Sequence, residues 1–153
     1  MKHKGHAGLT LLVVSLLMLP FGLSENAIVV IVLAAGLSSL PDIDINLEIK
    51  HRGYTHNIFA ALVVGIIFGF LFFYSTSDIL WGVMGFTSGF GGVICHLLGD
   101  ALTPMKFKPL WPFSNVEVGL GWFSSGDKRV NNGFMTMGSI AFILYILVTT
   151  GAL

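Results

Sequence analysis

Charged residues are scarce in this chain of 153 residues. Asp, Glu, Lys and Arg together make up 10% of it, whereas hydrophobic residues make up 54% and the mean hydropathy is +0.84. Soluble domains carry about 25% charged residues, so this composition excludes an ordinary soluble domain and predicts an integral membrane protein. An excess of positive charge is also absent, since the formal net charge is zero, and no nucleic-acid partner is expected.

Cysteine is almost absent as well. Cys95 is the only one, so an intramolecular disulfide is excluded. It lies in a hydrophobic run beside His96, where a cysteine usually serves as a small packing residue, and a role as a metal ligand is the less favoured interpretation.

Long hydrophobic runs, in contrast, occupy most of the chain. Each is close to the roughly 20 residues that a transmembrane helix needs, and they are too closely spaced for a soluble domain to lie between them. The sequence therefore predicts a single domain over 1–153, an all-α polytopic membrane helical bundle with five transmembrane helices. The five segments are 7–23, 24–40, 56–74, 79–102 and 134–153.

The first two runs leave alternatives open. Lys2 and Lys4 in front of the first run also resemble the start of a signal peptide, but no small-x-small cleavage motif follows, which favours a retained helix. The second run, which is short, could be re-entrant. A full crossing is favoured because only five crossings place all the positive charges on one side.

With five crossings, every lysine and arginine falls on the side of the N-terminus. The opposite side receives only two charged residues, Glu25 and Asp78. By the positive-inside rule, this distribution predicts a protein of the cell (inner) membrane with a cytoplasmic N-terminus and an external C-terminus. The cations are Lys2, Lys4, Lys50, Arg52, Lys106, Lys108, Lys128 and Arg129.

Histidine and aspartate follow the same distribution. All five histidines lie at the cytoplasmic ends of the predicted helices or in cytoplasmic loops, together with Asp42, Asp44 and Asp100. Such side chains are costly near hydrocarbon, and they usually face a bundle interior or mark a functional site. Three motifs supply most of them: "PDID" after the second run, "HRGYTH" before the third and "HLLGD" at the end of the fourth.

The "HLLGD" motif places His96 and Asp100 on one helical face, since the two residues are four positions apart. Gly85, Gly89 and Gly92 precede His96 on that face, and small residues mark the surfaces where membrane helices pack closely. Both side chains are therefore expected to point into the bundle. Imidazole nitrogen and carboxylate oxygen suit a divalent ion such as zinc or manganese, although one such pair is common by chance.

The "PDID" motif supplies two carboxylates, Asp42 and Asp44. Residues two apart cannot share a face of a regular helix, but they can in the extended or turning backbone that Pro41 favours. A bridging aspartate can hold two cations, so the predicted site binds one or two ions. Taken alone, these acids would fit a solvated helix end equally well, and the two other motifs at the same depth favour the metal interpretation.

In "HRGYTH", Thr55 is predicted to cap the third helix, which makes His56 its first residue and a candidate ligand. Arg52 is always protonated and cannot bind a metal. Its forked donors match a phosphate, so contact with an anionic substrate is favoured over a purely topological role. For Lys50, contact with lipid head groups is the favoured interpretation.

Two further histidines precede the first run. His6 lies at the start of the first predicted helix and is the weakest candidate ligand, because a histidine near an N-terminus is usually solvated. His3 lies further out and is expected to be solvated.

The motifs "HKGHAG", "PDID", "HRGYTHN", "HLLGDALTP" and "LWPFS", in this order and with these hydrophobic separations, resemble the LexA-regulated, membrane-bound metal-dependent hydrolase family, also called YdjM-like. The resemblance covers nearly the whole chain. Its most specific part is H-R-G-x-T-H with P-D-x-D upstream and H-x-x-x-D downstream. It implies a small polytopic protein with a divalent-metal hydrolase site. The residues that match by position are His6, Asp42, Asp44, His51, Arg52, His56, His96 and Asp100.

Two positions depart from the family pattern. Asn57 stands where a serine often follows the motif, and it can still donate a hydrogen bond. Ile45 stands where a histidine often follows P-D-x-D, which removes one potential ligand and leaves the number of ions open.

The function predicted from these motifs is hydrolysis of a phosphoester in a membrane lipid or a lipid-linked substrate, at the cytoplasmic interface where such head groups lie. Metal-activated water would attack the phosphorus, and Arg52 would hold the anionic group. The sequence leaves the oligomeric state open. The candidate catalytic residues are Asp44, His51 and Arg52, and the candidate metal ligands are His6, Asp42, Asp44, His56, His96 and Asp100.

The loop "MKFKPLWPFSNVEVGLGWF" is typical of an interfacial segment. Its tryptophans and phenylalanines with nearby lysines fit an aromatic belt, and a role in lipid entry is the less favoured interpretation.

Two other classes of function are less favoured. A transporter or a non-enzymatic metal-binding scaffold would use the same histidines, but transport sites usually lie near the midplane and these residues gather at one end. A lipid phosphatase of the type 2 phosphatidic acid phosphatase kind also contains H-x-x-x-D. Its companion motifs P-S-G-H and K-x-x-x-x-x-x-R-P do not occur here, so this class is set aside.

Overall fold

The computed structural model describes residues 1–22, 24–46 and 52–152. Within these ranges the chain is helical, apart from loops and one isolated β-bridge between Phe107 and Val118. The predicted catalytic residue His51 lies outside the described residues, as does Lys50. The helices are α1 (His3–Met18), α2 (Glu25–Leu37), α3 (Ile43–Asn46), α4 (Ile58–Thr76), α5 (Ile79–Ala101) and α6 (Lys128–Thr149).

In the described part of the chain, five helical stretches are long and apolar enough to cross a membrane, which confirms the predicted all-α architecture with five membrane helices. The second stretch combines α2 with a 3-10 turn (Leu40–Asp42) and α3. It has 21 residues, so the segment that could have been re-entrant is long enough to span. The stretches are His3–Phe21, Glu25–Ile45, Ile58–Thr76, Ile79–Ala101 and Lys128–Thr149.

The start of α4 differs from the prediction. The helix begins at Ile58 because Asn57 is its N-cap, and the Asn57 side-chain oxygen accepts a hydrogen bond from the backbone N–H of Ala60 at 2.8 Å. Thr55, the predicted cap, donates its hydroxyl to Asp44 instead. His56 therefore lies just before the helix, in a loop that can turn its ring toward α5.

The last helix, in contrast, starts earlier than the hydrophobic pattern predicts, at Lys128. Asp127 is its N-cap and accepts hydrogen bonds from the backbone N–H groups of Arg129 and Val130. The first turn is polar, so hydropathy alone places the start too late.

The backbone of "PDID" is helical, and the expectation of an extended or turning conformation is only partly right. Pro41 occupies the 3-10 turn, and α3 follows directly. The tight turn brings both carboxylates to the same end of the bundle, where Asp42 is 8% and Asp44 1% exposed.

The glycines of α5 form a close packing surface, as predicted. Gly85 and Gly89 face the backbone of α4, and Gly92 faces the carbonyl group of Ala34 in α2. A methyl group at these positions would press against the neighbouring backbone, so α5 can approach both helices only because they are glycines. The same face ends in His96 and Asp100, which are 0% and 1% exposed.

Helices α1 and α6 meet through a second pair of glycines. A side chain at Gly138 of α6 would overlap the carbonyl oxygen of Gly8, and a side chain at Gly8 would overlap the backbone of Met135. This contact fixes the position of α1, which carries His6.

The interior at one end of the bundle is polar, while the outer faces of the helices are apolar. Large side chains such as Ile66, Phe70 and Ile143 are more than half exposed. Such an arrangement suits a lipid surrounding, where polar groups must find partners inside the protein. The fully buried polar side chains at this end include His6, His56, His96, Asp44 and Asp100.

Candidate metal centre

Six of the predicted site residues converge at one end of the bundle. They come from five parts of the chain: α1, the 3-10 turn, α3, the loop before α4 and the last turns of α5. None is more than 8% exposed. The six are His6, Asp42, Asp44, His56, His96 and Asp100.

Within the cluster, the two Nε2 atoms of His56 and His96 lie 3.1 Å apart. The Nδ1 atom of His96 lies 2.7 Å from the carbonyl oxygen of Ser38. A carbonyl oxygen can only accept, so Nδ1 carries the proton and the Nε2 of a neutral His96 holds a lone pair.

The same argument applies to His56. Its Nδ1 lies 2.8 Å from the hydroxyl oxygen of Thr55 and 3.2 Å from Asp44 Oδ2. The Thr55 hydroxyl donates to Asp44 at 2.8 Å, so its oxygen is left to accept from His56. Both neighbours therefore place the proton on Nδ1, and the lone pair of a neutral His56 lies on Nε2.

Two lone pairs thus face each other across 3.1 Å, which is repulsive unless a proton or a cation lies between them. Two carboxylate oxygens border the same space: Asp42 Oδ1 is 3.5 Å from both Nε2 atoms, and Asp100 Oδ2 is 3.5 Å from that of His56 and 3.6 Å from that of His96. These four atoms, which we call the cage, supply two nitrogen and two oxygen donors, the donor set that suits a divalent transition-metal ion.

The two carboxylate oxygens of Asp100 have different surroundings. Oδ1 lies 2.8 Å from Nη2 of Arg52 and 2.5 Å from the terminal ammonium of Met1. Oδ2 has no hydrogen-bond partner among the described residues, although it is buried. A buried acceptor without a partner is unfavourable, so the direction of Oδ2 into the cage fits a cation at this position.

Within the ranges that the structure describes, two groups of three residues have ligand atoms within 4.8 Å of one another. One is Asp42, His56 and His96, and the other is His6, His96 and Asp100. His96 belongs to both groups, and its Nδ1 already donates to Ser38. Only its Nε2 is left to serve either group.

His6 packs flat against His96, with ring centroids 3.7 Å apart and an angle of 12° between the planes. Its Nε2 lies 3.1 Å from the carbonyl oxygen of Met1 and 3.4 Å from Asp100 Oδ1. Gly99 makes room for this ring, because a side chain there would touch it. His3, in contrast, is 72% exposed, as expected, and lies 3.7 Å from Asp42.

Asp44 lies behind His56, on the side of the ring away from the cage. Besides Thr55, its Oδ2 accepts from the backbone N–H of Arg52 at 3.1 Å. Carboxylates that bond the outer nitrogen of a metal-ligating histidine fix its tautomer and orientation. The position of Asp44 is typical of that role.

Arg52 links the loop before α4 to the loop after α5. Its Nη2 bonds Asp100 and, at 3.0 Å, the hydroxyl of Thr103, and its Nη1 donates to the carbonyl oxygen of Met105. Its φ is 59°, in the left-handed region that a non-glycine residue rarely adopts and that costs about 1–2 kcal/mol. Its side chain is 4% exposed.

Burial lowers the pKa of His56 below its usual 6.5, and Asp42, which can accept a hydrogen bond only from the protonated ring, opposes that shift. The neutral imidazole is the form that binds metals. The surroundings of His56 therefore favour its ligating form.

Sequence reasoning missed the groups that orient the ligands. The backbone carbonyl of Ser38 contacts the His96 ring, and the hydroxyl of Thr103 accepts a hydrogen bond from Arg52. Neither group had been assigned a role from the motifs. The only signal for Thr103 is its place directly after the "HLLGDAL" stretch, while nothing in the sequence marks the Ser38 carbonyl.

A comparison with protein families matches residues 1–152 of the chain to the YdjM inner membrane protein family. No curated protein and no solved structure matches the chain. Since the family match covers all but the last residue, the chain belongs to the YdjM inner membrane protein family.

Proposed function

We propose that this protein is a membrane-bound hydrolase that depends on a divalent metal and cleaves a phosphoester of a lipid or lipid-linked substrate. The observation that carries the proposal is the pair of Nε2 atoms of His56 and His96, held 3.1 Å apart with both ring protons on the opposite nitrogens. A divalent cation between the two lone pairs would remove their repulsion, and zinc and manganese both suit the donors present.

The residues that would hold the ion are Asp42, His56, His96 and Asp100. We propose one ion, because the two candidate groups compete for a single nitrogen of His96, and one imidazole lone pair binds one ion. A divalent cation there supplies Lewis acidity, which activates water for attack and offsets the charge of phosphate oxygens.

The remaining residues hold this arrangement together. Asp44 orients His56 through Nδ1, so we assign it a positioning role in place of the predicted ligand role. His6 supports His96 by stacking and lies beside Asp100, and it completes the alternative ligand group. His51 stays a predicted catalytic residue.

The role of Arg52 as a phosphate clamp also stays a prediction. Both of its terminal nitrogens already bond protein groups, and only Nε has no partner among the described residues. An incoming phosphate would therefore meet Nε or replace the bonds to Thr103 and Met105.

The proposal is tested by measuring bound metal and phosphate release in the same detergent-purified preparation, with phospholipids and polyprenyl phosphates as substrates. We expect one equivalent of metal and turnover for the wild type, and loss of both in His96→Ala and Asp100→Ala. His3→Ala is the matched control, because this histidine is 72% exposed, lies outside both ligand groups, and contacts Asp42 only through an exposed pair at 3.7 Å that solvent screens. Metal content that is unchanged in both site variants would refute the ligand assignment.

One observation favours a second function, a non-enzymatic metal-binding scaffold. His56, His96 and Asp100 are at most 1% exposed, and such closed sites are typical of structural metals. Metal-loaded wild type that hydrolyses no phosphoester in the screen would move the assignment to this scaffold.

A further inference from the structure

A polar cavity of about 260 Å³ opens beside the candidate metal centre. Among the described residues, three cations line it, Arg52, Lys106 and Lys108, against one carboxylate, Glu117. The cavity is therefore positively charged, and an anion is the ligand it suits.

Arg52 adds an independent indication of an anion. Its side chain is 96% buried, with 4% exposed, yet its Nε–H donor has no partner among the described residues. A buried donor without an acceptor is costly. A phosphate oxygen in the cavity that Arg52 lines would supply the missing acceptor.

A second cavity, of about 270 Å³, also has Phe107 in its lining. Its lining is apolar and includes Ile58, Leu98 and Leu110. Leu98 and Leu110 are 50% and 47% exposed, so this cavity opens toward the apolar exterior of the bundle. A hydrocarbon chain is the ligand that such a cavity suits.

Phe107 joins the two cavities, since it lines both. It is 3% exposed and held by a pair of backbone hydrogen bonds with Val118, at 3.1 and 2.9 Å. Its ring centroid lies 6.5 Å from that of His56, a proposed metal ligand. Phe107 thus contributes to the lining of both cavities and lies close to a proposed metal ligand.

We infer that the two cavities bind one lipid phosphate, with its head group among Arg52, Lys106 and Lys108 and one acyl chain along Leu98 and Leu110. This inference rests on the proposed function, because it specifies the substrate class of the same site. The positive charge of the first cavity suits an anionic head group, and the apolar lining of the second suits a hydrocarbon chain. Inorganic phosphate lacks the chain, and an uncharged lipid lacks the negative charge.

The test uses Trp111, which lines the charged cavity, as a reporter of the lipid beside it. The full chain carrying Trp81→Phe and Trp122→Phe keeps this tryptophan alone. It is reconstituted into phosphatidylcholine vesicles that contain the same fraction of brominated phosphatidic acid or brominated phosphatidylcholine. Bromine quenches tryptophan fluorescence at contact, so excess quenching by phosphatidic acid measures its enrichment at Trp111. A chelator is present throughout, which prevents metal-dependent turnover of the probe.

In the protein that keeps only Trp111, we expect excess quenching by brominated phosphatidic acid. Lys106→Gln with Lys108→Gln should weaken the apparent affinity for this lipid at least about tenfold, because charge-assisted bonds to phosphate are lost. Lys128→Gln with Arg129→Gln is the matched control, since it removes the same charge from an exposed part of the same end of the bundle, and it should leave the quenching unchanged. Leu110→Gln should also weaken quenching by phosphatidic acid, because the acyl chain loses apolar contact.

Three outcomes would overturn the inference: equal quenching by both brominated lipids, equal losses in the two double variants, or full relief by inorganic phosphate at the concentration of the lipid. The first indicates an ordinary lipid boundary, the second a general surface potential and the third a site for free phosphate. The readout requires neither metal nor turnover. Enrichment without hydrolysis would leave this inference standing and refute the hydrolase, and hydrolysis without enrichment would do the reverse.

Discussion

His56 and His96 turn their Nε2 atoms toward each other at 3.1 Å, and the partners of their Nδ1 atoms leave no proton on either facing nitrogen when the rings are neutral. The partners come from different parts of the chain, a backbone carbonyl after α2 for one ring and a threonine with an aspartate for the other. The fold thus holds the two lone pairs in a repulsive arrangement. A cation bound between them would relieve this repulsion.

The contacts behind His56 predict the effect of Thr55→Val, which keeps the shape of the side chain and removes its hydroxyl. His56 loses an acceptor for its Nδ1–H, and Asp44 loses a donor. We expect metal affinity to fall by about 10–100-fold while the protein remains inserted, which is the usual cost of losing such an orienting bond. Competition with a metal-sensitive dye measures the change.

Thr87→Val is the control for this substitution. Thr87 lies on an exposed face of α5 and donates to the carbonyl oxygen of Val83, away from the site. Equal affinities in the two variants would remove Thr55 from the orienting network.

The packing of α1 against α6 predicts a second effect, that of Gly138→Ala. The added methyl group would overlap the Gly8 carbonyl, so the two helices must separate. We expect a loss of about 1–3 kcal/mol in the free energy of unfolding, measured by denaturant titration in detergent, together with weaker metal binding because α1 carries His6. Gly133→Ala lies in the same helix with open space around it and should be neutral or stabilising. A Gly138→Ala protein as stable as Gly133→Ala would contradict the close approach.

Much of the fold could be predicted from the sequence because membrane helices are limited by bilayer thickness, which hydropathy detects directly. The glycine face of α5 was predictable for a similar reason, since its spacing follows the helical repeat. The start of α6 was not, because the Asp127 cap and the polar first turn lie outside any apolar run. Helix ends are set by local hydrogen bonds that a hydropathy average does not contain.

The candidate site shows the same division. Residue type and depth brought together Asp42, His56, His96 and Asp100, since ionisable groups near a membrane must cluster away from lipid. The separate roles of Asp42 and Asp44 could not be predicted, because they depend on which side of the His56 ring each carboxylate meets. That is decided by the three-dimensional path of the 3-10 turn and α3.

The charge distribution predicts the orientation of the chain. All eight cations lie on the side of the N-terminus if five helices cross, so tags at the N-terminus and in the loop 103–127 should report the cytoplasm, and a tag at the C-terminus the outside. Paired reporters, one active only in the cytoplasm and one only outside it, measure this at each position. A cytoplasmic C-terminus would contradict an odd number of crossings.

The last prediction concerns Arg52→Lys, which keeps a positive charge and so leaves the orientation signal intact. The guanidinium bonds Asp100, Thr103 and Met105 from two nitrogens, and a single ammonium cannot reproduce that planar geometry. A residue that only clamps substrate would lose activity in this variant with unchanged metal content.

Because Nη2 of Arg52 lies 2.8 Å from Asp100, a proposed ligand, we expect Arg52→Lys to lower both the metal affinity and the phosphoester turnover. Metal affinity should fall by about tenfold through the loosened carboxylate, and phosphoester turnover measured at saturating metal should fall further, because the Nε donor to phosphate is lost as well. Metal titration and turnover in one preparation separate the two effects. Reduced turnover with wild-type metal affinity would restrict Arg52 to the substrate, and wild-type values of both would leave it a topological cation.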